Sequence, residues 1–183
     1  IEAWVVDAET GQPIEGAIVT ANWQLLSFGF DTGGRKLYQL EVMETVTDSK
    51  GRFHFPGFTR GNLSFAELSE DDPKIKIFKP GYDYSGMNSD YRLHPEAKGA
   101  HRHSKADGHT FRLRREPDIR AYARQLDFLN TDLSAVVERG YGKYIPRMSL
   151  ALNCEKQRIG SIDAAIPLSV PPLPSREIRC GNE

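Results

Sequence analysis

Ala17-Ile18-Val19-Thr20-Ala21-Asn22-Trp23-Gln24-Leu25 is the stretch that decides the fold class. Ala17, Val19, Ala21, Trp23 and Leu25 share one side of an extended chain, and Thr20, Asn22 and Gln24 take the other. A period of two marks a strand with one apolar face. Downstream, Tyr38, Leu40, Val42 and Val46 alternate against Gln39, Glu41 and Thr45. Asp48-Ser49-Lys50-Gly51 is then a polar turn into Phe53 and Phe55, which are set against Arg52 and His54, so a hairpin is expected. Alternation returns in Lys74-Ile75-Lys76-Ile77, closed by Pro80-Gly81, and in Phe111 and Leu113 against Arg112 and Arg114. Strands that are apolar on one side need a second sheet to cover them. Residues 27–36 and 83–108 carry no such pattern and are expected to be surface insertions.

Past Glu116 the period changes. Ile119, Tyr122, Leu126, Leu129, Leu133 and Val136 recur at steps of three and four, with Pro117 at the start and Gly140 as a stop, which predicts a helix over 117–139. A second, shorter helix is expected from about Pro146 to Arg158, with Met148, Leu150, Ala151, Leu152 and Cys154 on its buried side. Residues 166–174 hold too many prolines for regular structure and are expected to lie extended against another surface. The division is therefore residues 1–116, a β-domain, and 117–183, a helical and proline-rich extension.

The chain has 183 residues, 39% hydrophobic and 27% charged, with a formal net charge of -1. Such a balance supplies no field to draw nucleic acid or an anionic membrane, and no nucleic-acid partner is expected. No stretch approaches the roughly 20 apolar residues of a membrane-spanning helix. A first residue of Ile1 fits a mature exported protein whose signal, with or without a lipid-bearing Cys, has been removed. In that setting Cys154 and Cys180 pair as one disulfide; in a reducing compartment they would be two separate thiols.

Val5-Val6-Asp7-Ala8-Glu9-Thr10-Gly11-Gln12-Pro13-Ile14-Glu15-Gly16-Ala17-Ile18-Val19 resembles the opening of the carboxypeptidase regulatory-like domain family. Thr47-Asp48-Ser49-Lys50-Gly51-Arg52-Phe53 and Lys79-Pro80-Gly81-Tyr82 are similar to later turns of that family. The resemblance implies an all-β, antiparallel, seven-stranded transthyretin-like sandwich over about residues 1–115, common in the cell envelope and accessory to something else. It carries no peptidase chemistry, which belongs to a separate zinc domain. Among enzymes of the wider fold, the hydroxyisourate hydrolases end in Tyr-Arg-Gly-Ser, whereas this chain ends in Arg179-Cys180-Gly181-Asn182-Glu183.

Several side chains compete as sites. Residues 94–109 hold four of the five histidines, and His101 and His103 share one face of an extended chain, so they could share an ion; a solvated polar loop is the favoured reading. Arg112 and Arg114, continued by Arg115, Arg120 and Arg124, form forks suited to an acidic partner or a lipid headgroup, against the plainer reading of an outward strand face balanced by Glu67, Glu70, Asp71 and Asp72. Phe28 and Phe30, with Trp23 and Tyr38, could stack on sugars or fill a partner's groove, though such rings more often close the open end of a sandwich. No nucleophile elbow, phosphate loop or dinucleotide fingerprint occurs, so no catalytic residue and no cofactor are expected. The function expected is a non-catalytic accessory protein of the periplasm or cell surface, soluble or lipid-anchored. It would bind or scaffold another protein, in a membrane-associated complex for example; a carbohydrate-binding module and a metal-binding protein are the alternatives.

Overall fold

The computed structural model describes residues 1–28, 35–59, 67–68, 73–88, 91–93, 102–163, 165–166 and 180. Its strands are β1 (Glu2–Asp7), β2 (Ile18–Phe28), β3 (Arg35–Val46), β4 (Arg52–His54), β5 (Glu67–Leu68), β6 (Lys74–Phe78), β7 (Ser85–Asn88), β8 (Tyr91–Leu93), β9 (Arg102–Ser104) and β10 (Thr110–Leu113); its helices are α1 (Ile119–Val136) and α2 (Pro146–Ile162). One sheet runs β10-β1-β4, and the larger runs β3-β2-β6-β7, with the short β5 also on β2. Strands β8 and β9 pair with each other.

The two sheets face one another. Ala3 and Val5 of β1, Phe53 of β4, and Phe111 and Leu113 of β10 meet Val19, Ala21 and Trp23 of β2 and Ile75 and Ile77 of β6 in one core. A second core lies on the other side of the larger sheet. There Ile18, Val42 and Phe78 pack against Tyr122, Leu126, Leu129 and Leu133 of α1 and Met148, Leu152 and Ile159 of α2. Each such side chain taken from water stabilises by roughly 1.5–3 kcal/mol before entropy is counted.

This architecture overturns the expected all-β, antiparallel, seven-stranded transthyretin-like sandwich with an appended helical tail. The sheets follow three- and four-strand paths, the β1–β10 ladder is parallel, and the helices form a third layer sharing a core with the larger sheet. The reason is that the larger sheet is apolar on both faces. Its strands had been assigned one apolar side, yet Ile18, Val42 and Phe78 point away from the inter-sheet core and need a cover of their own. A β-bulge conceals part of this pattern. Trp23 pairs with Glu41 and Gln24 with Gln39, leaving Leu40 as the extra residue, so Leu40 leans on the inter-sheet core while Val42 belongs to the helix-facing one.

Four local expectations also change. Strands β3 and β4 form no hairpin, because β4 crosses to pair with β1. Gly51 in the connecting turn, at φ +69°, accepts at its carbonyl from Val5 N–H at 2.7 Å, and a Cβ there would collide with the Val5 carbonyl oxygen. The supposed insertions contain the ends of β2 and β3 and all of β7, β8 and β9. Helix α1 starts at Ile119, since the Asp118 carboxylate caps the N–H groups of Arg120 and Ala121. Beyond α1, a π-helical turn over Val137–Tyr141 contains Gly140 at φ +83°, the expected stop. In α2, Leu150 is exposed, and Ser149, Asn153, Glu155 and Lys156 are buried in its place.

Candidate functional site

Strand β2 places Thr20, Asn22 and Gln24 toward the helices, where all three are buried. Polar groups in such a position must find partners. Asn22 Oδ1 accepts from the Gln39 amide, which also donates to the Trp23 carbonyl at 2.9 Å. The helices add buried Asn130 and Asn153, and Lys156 Nζ lies 3.1 Å from Asp127 Oδ1. Thr20 sits in one cross-strand row between Glu44 and Lys76, and this row grips both helices. Glu44 accepts from Arg147 N–H at 3.0 Å and Met148 N–H at 2.8 Å, capping α2, which begins at Pro146 without a capping side chain of its own. Lys76 Nζ holds Asp132 of α1 at 2.6 Å. Burial raises the Glu44 carboxyl above its usual range, and the two N–H donors oppose that shift.

A second polar hub forms at Pro80-Gly81-Tyr82. Gly81 N–H donates to the Tyr122 hydroxyl oxygen at 2.9 Å, and that hydroxyl donates to Glu155 Oε2 at 2.8 Å. Arg158 closes on Glu155 through two donors at 2.6 and 3.0 Å. On its other side, Tyr82 donates to Asp7 Oδ2 at 3.1 Å, and the Arg115 guanidinium lies over the Tyr82 ring, with its Nε 3.4 Å from Asp7. Asp7 Oδ1 also accepts from Glu9 and Thr10 N–H groups. The Thr10 bond foremost holds the Asp7 carboxyl down at about 2, against the opposing effect of burial. Burial, followed by the lowering effect of the Gly81 bond and the raising effect of the Glu155 charge, leaves the Tyr122 hydroxyl well above the ordinary tyrosine range. At neutral pH Asp7 is therefore a fixed anion and Tyr122 a fixed donor. Together they tie β1, the β6–β7 turn, α1 and α2.

The outer side of the β10-β1-β4 sheet is different. Arg112 and Arg114 stand exposed there, as the alternation with Phe111 and Leu113 requires. The ladders set Val6 beside Arg112, and Trp4 beside both Thr110 and Arg52. Arg120 and Arg124, read as a continuation of the same patch, are instead on α1 in the helical layer. Trp4 and Arg52 were missed as members of this face. The outward phase of Arg52 is legible against Phe53 and Phe55, and that of Trp4 in Ile1-Glu2-Ala3-Trp4-Val5-Val6, where it is out of phase with Ala3 and Val5; which strands share the face is not.

The other expected site residues fare unevenly. Phe28 ends β2 opposite Arg35, and His103 lies in β9 opposite Arg92, but their side chains are outside the described part. Phe30 and His101 lie outside the described residues altogether. Among the described residues no group of three His, Cys, Asp or Glu is placed to hold a metal ion. Cys154 and Cys180 are joined, with their Cα atoms 5.5 Å apart. No helix among the described residues is long and apolar enough to cross a membrane. No protein-family model, curated protein or solved structure matches the chain.

Proposed function

We propose that the chain is an exported, non-catalytic accessory protein of the periplasm or cell surface that binds or scaffolds another protein as a subunit of a larger assembly. The observation that carries this reading is the unequal covering of the two sheets. The larger sheet is packed on both faces, while the smaller presents Trp4, Arg112 and Arg114 to solvent on its outer face. Meanwhile the polar groups gathered inside work as ties between layers: Asp7, Glu44, Tyr122 and Glu155 each hold a backbone segment or a neighbouring element in place.

Kinship with the carboxypeptidase regulatory-like family is part of the proposal. In its favour, the three segments that carry the resemblance meet in space: Tyr82 on Asp7, and Gly51 on Val5. The Cys154–Cys180 bond favours an oxidising compartment, which is where such bonds persist. Affinity purification of the full chain from native envelope extract, followed by sizing, tests the reading. A companion in fixed stoichiometry is expected, and recovery of the monomer alone sinks it. Alkylation of the chain in intact cells tests the compartment, since Cys154 and Cys180 should resist the reagent until a reductant is added.

A further inference from the structure

The outer face of the three-stranded sheet has a chemistry that narrows its partner. Arg112 lies in β10 and Arg114 directly follows the strand's last residue, where the chain stays extended into the Arg115 bridge, so their stems rise about 7 Å from one another on the same side. Neither side chain makes a hydrogen bond or ion pair among the described residues. Three other arginines are occupied: Arg52 holds Glu2 at 2.8 Å, Arg115 holds Asp7 and Arg158 holds Glu155. On the neighbouring central strand β1, half-buried Trp4 stands opposite Thr110, two residues before Arg112, and offers an apolar surface on the same face; its indole N–H has no acceptor among the described residues.

Two open guanidinium forks and a tryptophan on one sheet face match the residue types that dominate binding energy at protein interfaces. Each fork can take one carboxylate through two parallel bonds. A polyphosphate or membrane surface calls for a broad positive field, and this face lacks one because Glu2 neutralises Arg52. Resting on the binding reading above, we propose that the outer face of β10-β1-β4 docks an acidic segment of the partner protein, with Trp4 as the apolar anchor and Arg112 and Arg114 each receiving an Asp or Glu carboxylate.

Poly-L-glutamate is the probe, read by tryptophan fluorescence of the full chain, because Trp23 is buried in the inter-sheet core and Trp4 is the outer reporter. A saturable change that weakens with salt is expected. It should weaken about tenfold or more in Arg112→Glu/Arg114→Glu and vanish from the emission in Trp4→Phe, with the thermal midpoint of each variant close to that of the parent. Absence of binding, or binding indifferent to the double charge reversal, overturns the proposal. Tighter binding of polygalacturonate or of anionic vesicles than of poly-L-glutamate also overturns it, by assigning the face to a glycan or a membrane. A native companion retained by Arg112→Glu/Arg114→Glu would refute this surface while leaving the accessory reading intact. Purification of the parent chain with no companion at all would remove that reading itself.

Discussion

Among the described residues the larger sheet, β3-β2-β6-β7, is covered on both sides, whereas β10-β1-β4 is covered on one, although both are built from strands that alternate apolar and polar residues. In β2 the polar positions Thr20, Asn22 and Gln24 lie buried beneath helices, while in β10 the polar position Arg112 is in water. Alternation alone does not separate a wet face from a dry one; the kind of polar residue does. Amides and hydroxyls are small and neutral, and the helical layer buries amides of its own at Asn130 and Asn153. Two guanidinium groups under a helix would cost far more to desolvate than two amides.

The comparison breaks most readily in the two cores. Phe53→Ala should cost about 3–5 kcal/mol between the sheets, and Leu129→Ala about 2–5 kcal/mol under the helices. Because the larger sheet contributes to both cores, the two losses should appear in one denaturant transition seen alike by helix and tryptophan signals. Separate transitions, with the Leu129→Ala loss confined to the first, would return the helices to the status of an appendage.

Much of the sheet framework was legible in the sequence because Phe53, Phe55, Ile75, Ile77, Phe111 and Leu113 follow the strict period of two and all enter the core between the sheets. Both helices were legible from their spacing and from Pro146 and Gly140. What escaped was the third layer. Ile18 and Phe78 are apolar residues in phase with polar ones, and the bulge at Leu40 shifts the phase of β3 so that Leu40 and Val42, which look like partners on one apolar face, enter different cores. The crossing of β4 to another sheet was equally hidden, since a polar turn ending in glycine serves a hairpin and a sheet change equally well. For the candidate site, Arg112 and Arg114 could be placed from alternation, but Trp4 depended on knowing that β1 lies between β10 and β4.

The tie at α2 sharpens the contrast at the next level. Reducing Cys154–Cys180, or replacing both with Ser, opens a loop of about 25 residues and should cost about 3 kcal/mol in the chain-entropy account, read as a lower denaturant midpoint. An unchanged midpoint would mean that α2 is held by its packing alone. Smaller again is Tyr122→Phe, which removes the donor to Glu155 and the acceptor for Gly81 N–H while keeping the ring. A loss of about 1–3 kcal/mol is expected, and a silent substitution would discard the hub as a tie between layers.

Acid tests the same hub from the β1 side. Asp7 titrates at about 2 in the folded chain against an ordinary value of 3.8, so the unfolded chain binds its proton first as pH falls. The stability that Asp7 contributes is complete above 3.8 and is lost on descending toward about 2. Asp7→Asn should therefore be less stable than the parent at neutral pH, and the gap should close across that window. Glu44 acts in the opposite sense, since its raised carboxyl protonates more readily in the folded chain, but it is common to both proteins and cancels from the difference. A gap that stays constant with pH would show that the turn, and not the charge, is what Asp7 supplies.

The smallest expected effect lies on the bare face, and it is the most discriminating. Arg112→Ala and Arg114→Ala remove exposed side chains that make no hydrogen bond or ion pair among the described residues, so each should shift stability by no more than about 0.5 kcal/mol. A surface shaped for the chain's own folding would give a larger penalty, as expected for the row of Glu44, Thr20 and Lys76, which seats both helices. A loss above about 1 kcal/mol would mean that the guanidinium groups already serve an internal partner. In that event the outer face would be a second covered surface, and the asymmetry between the sheets would no longer point to a partner.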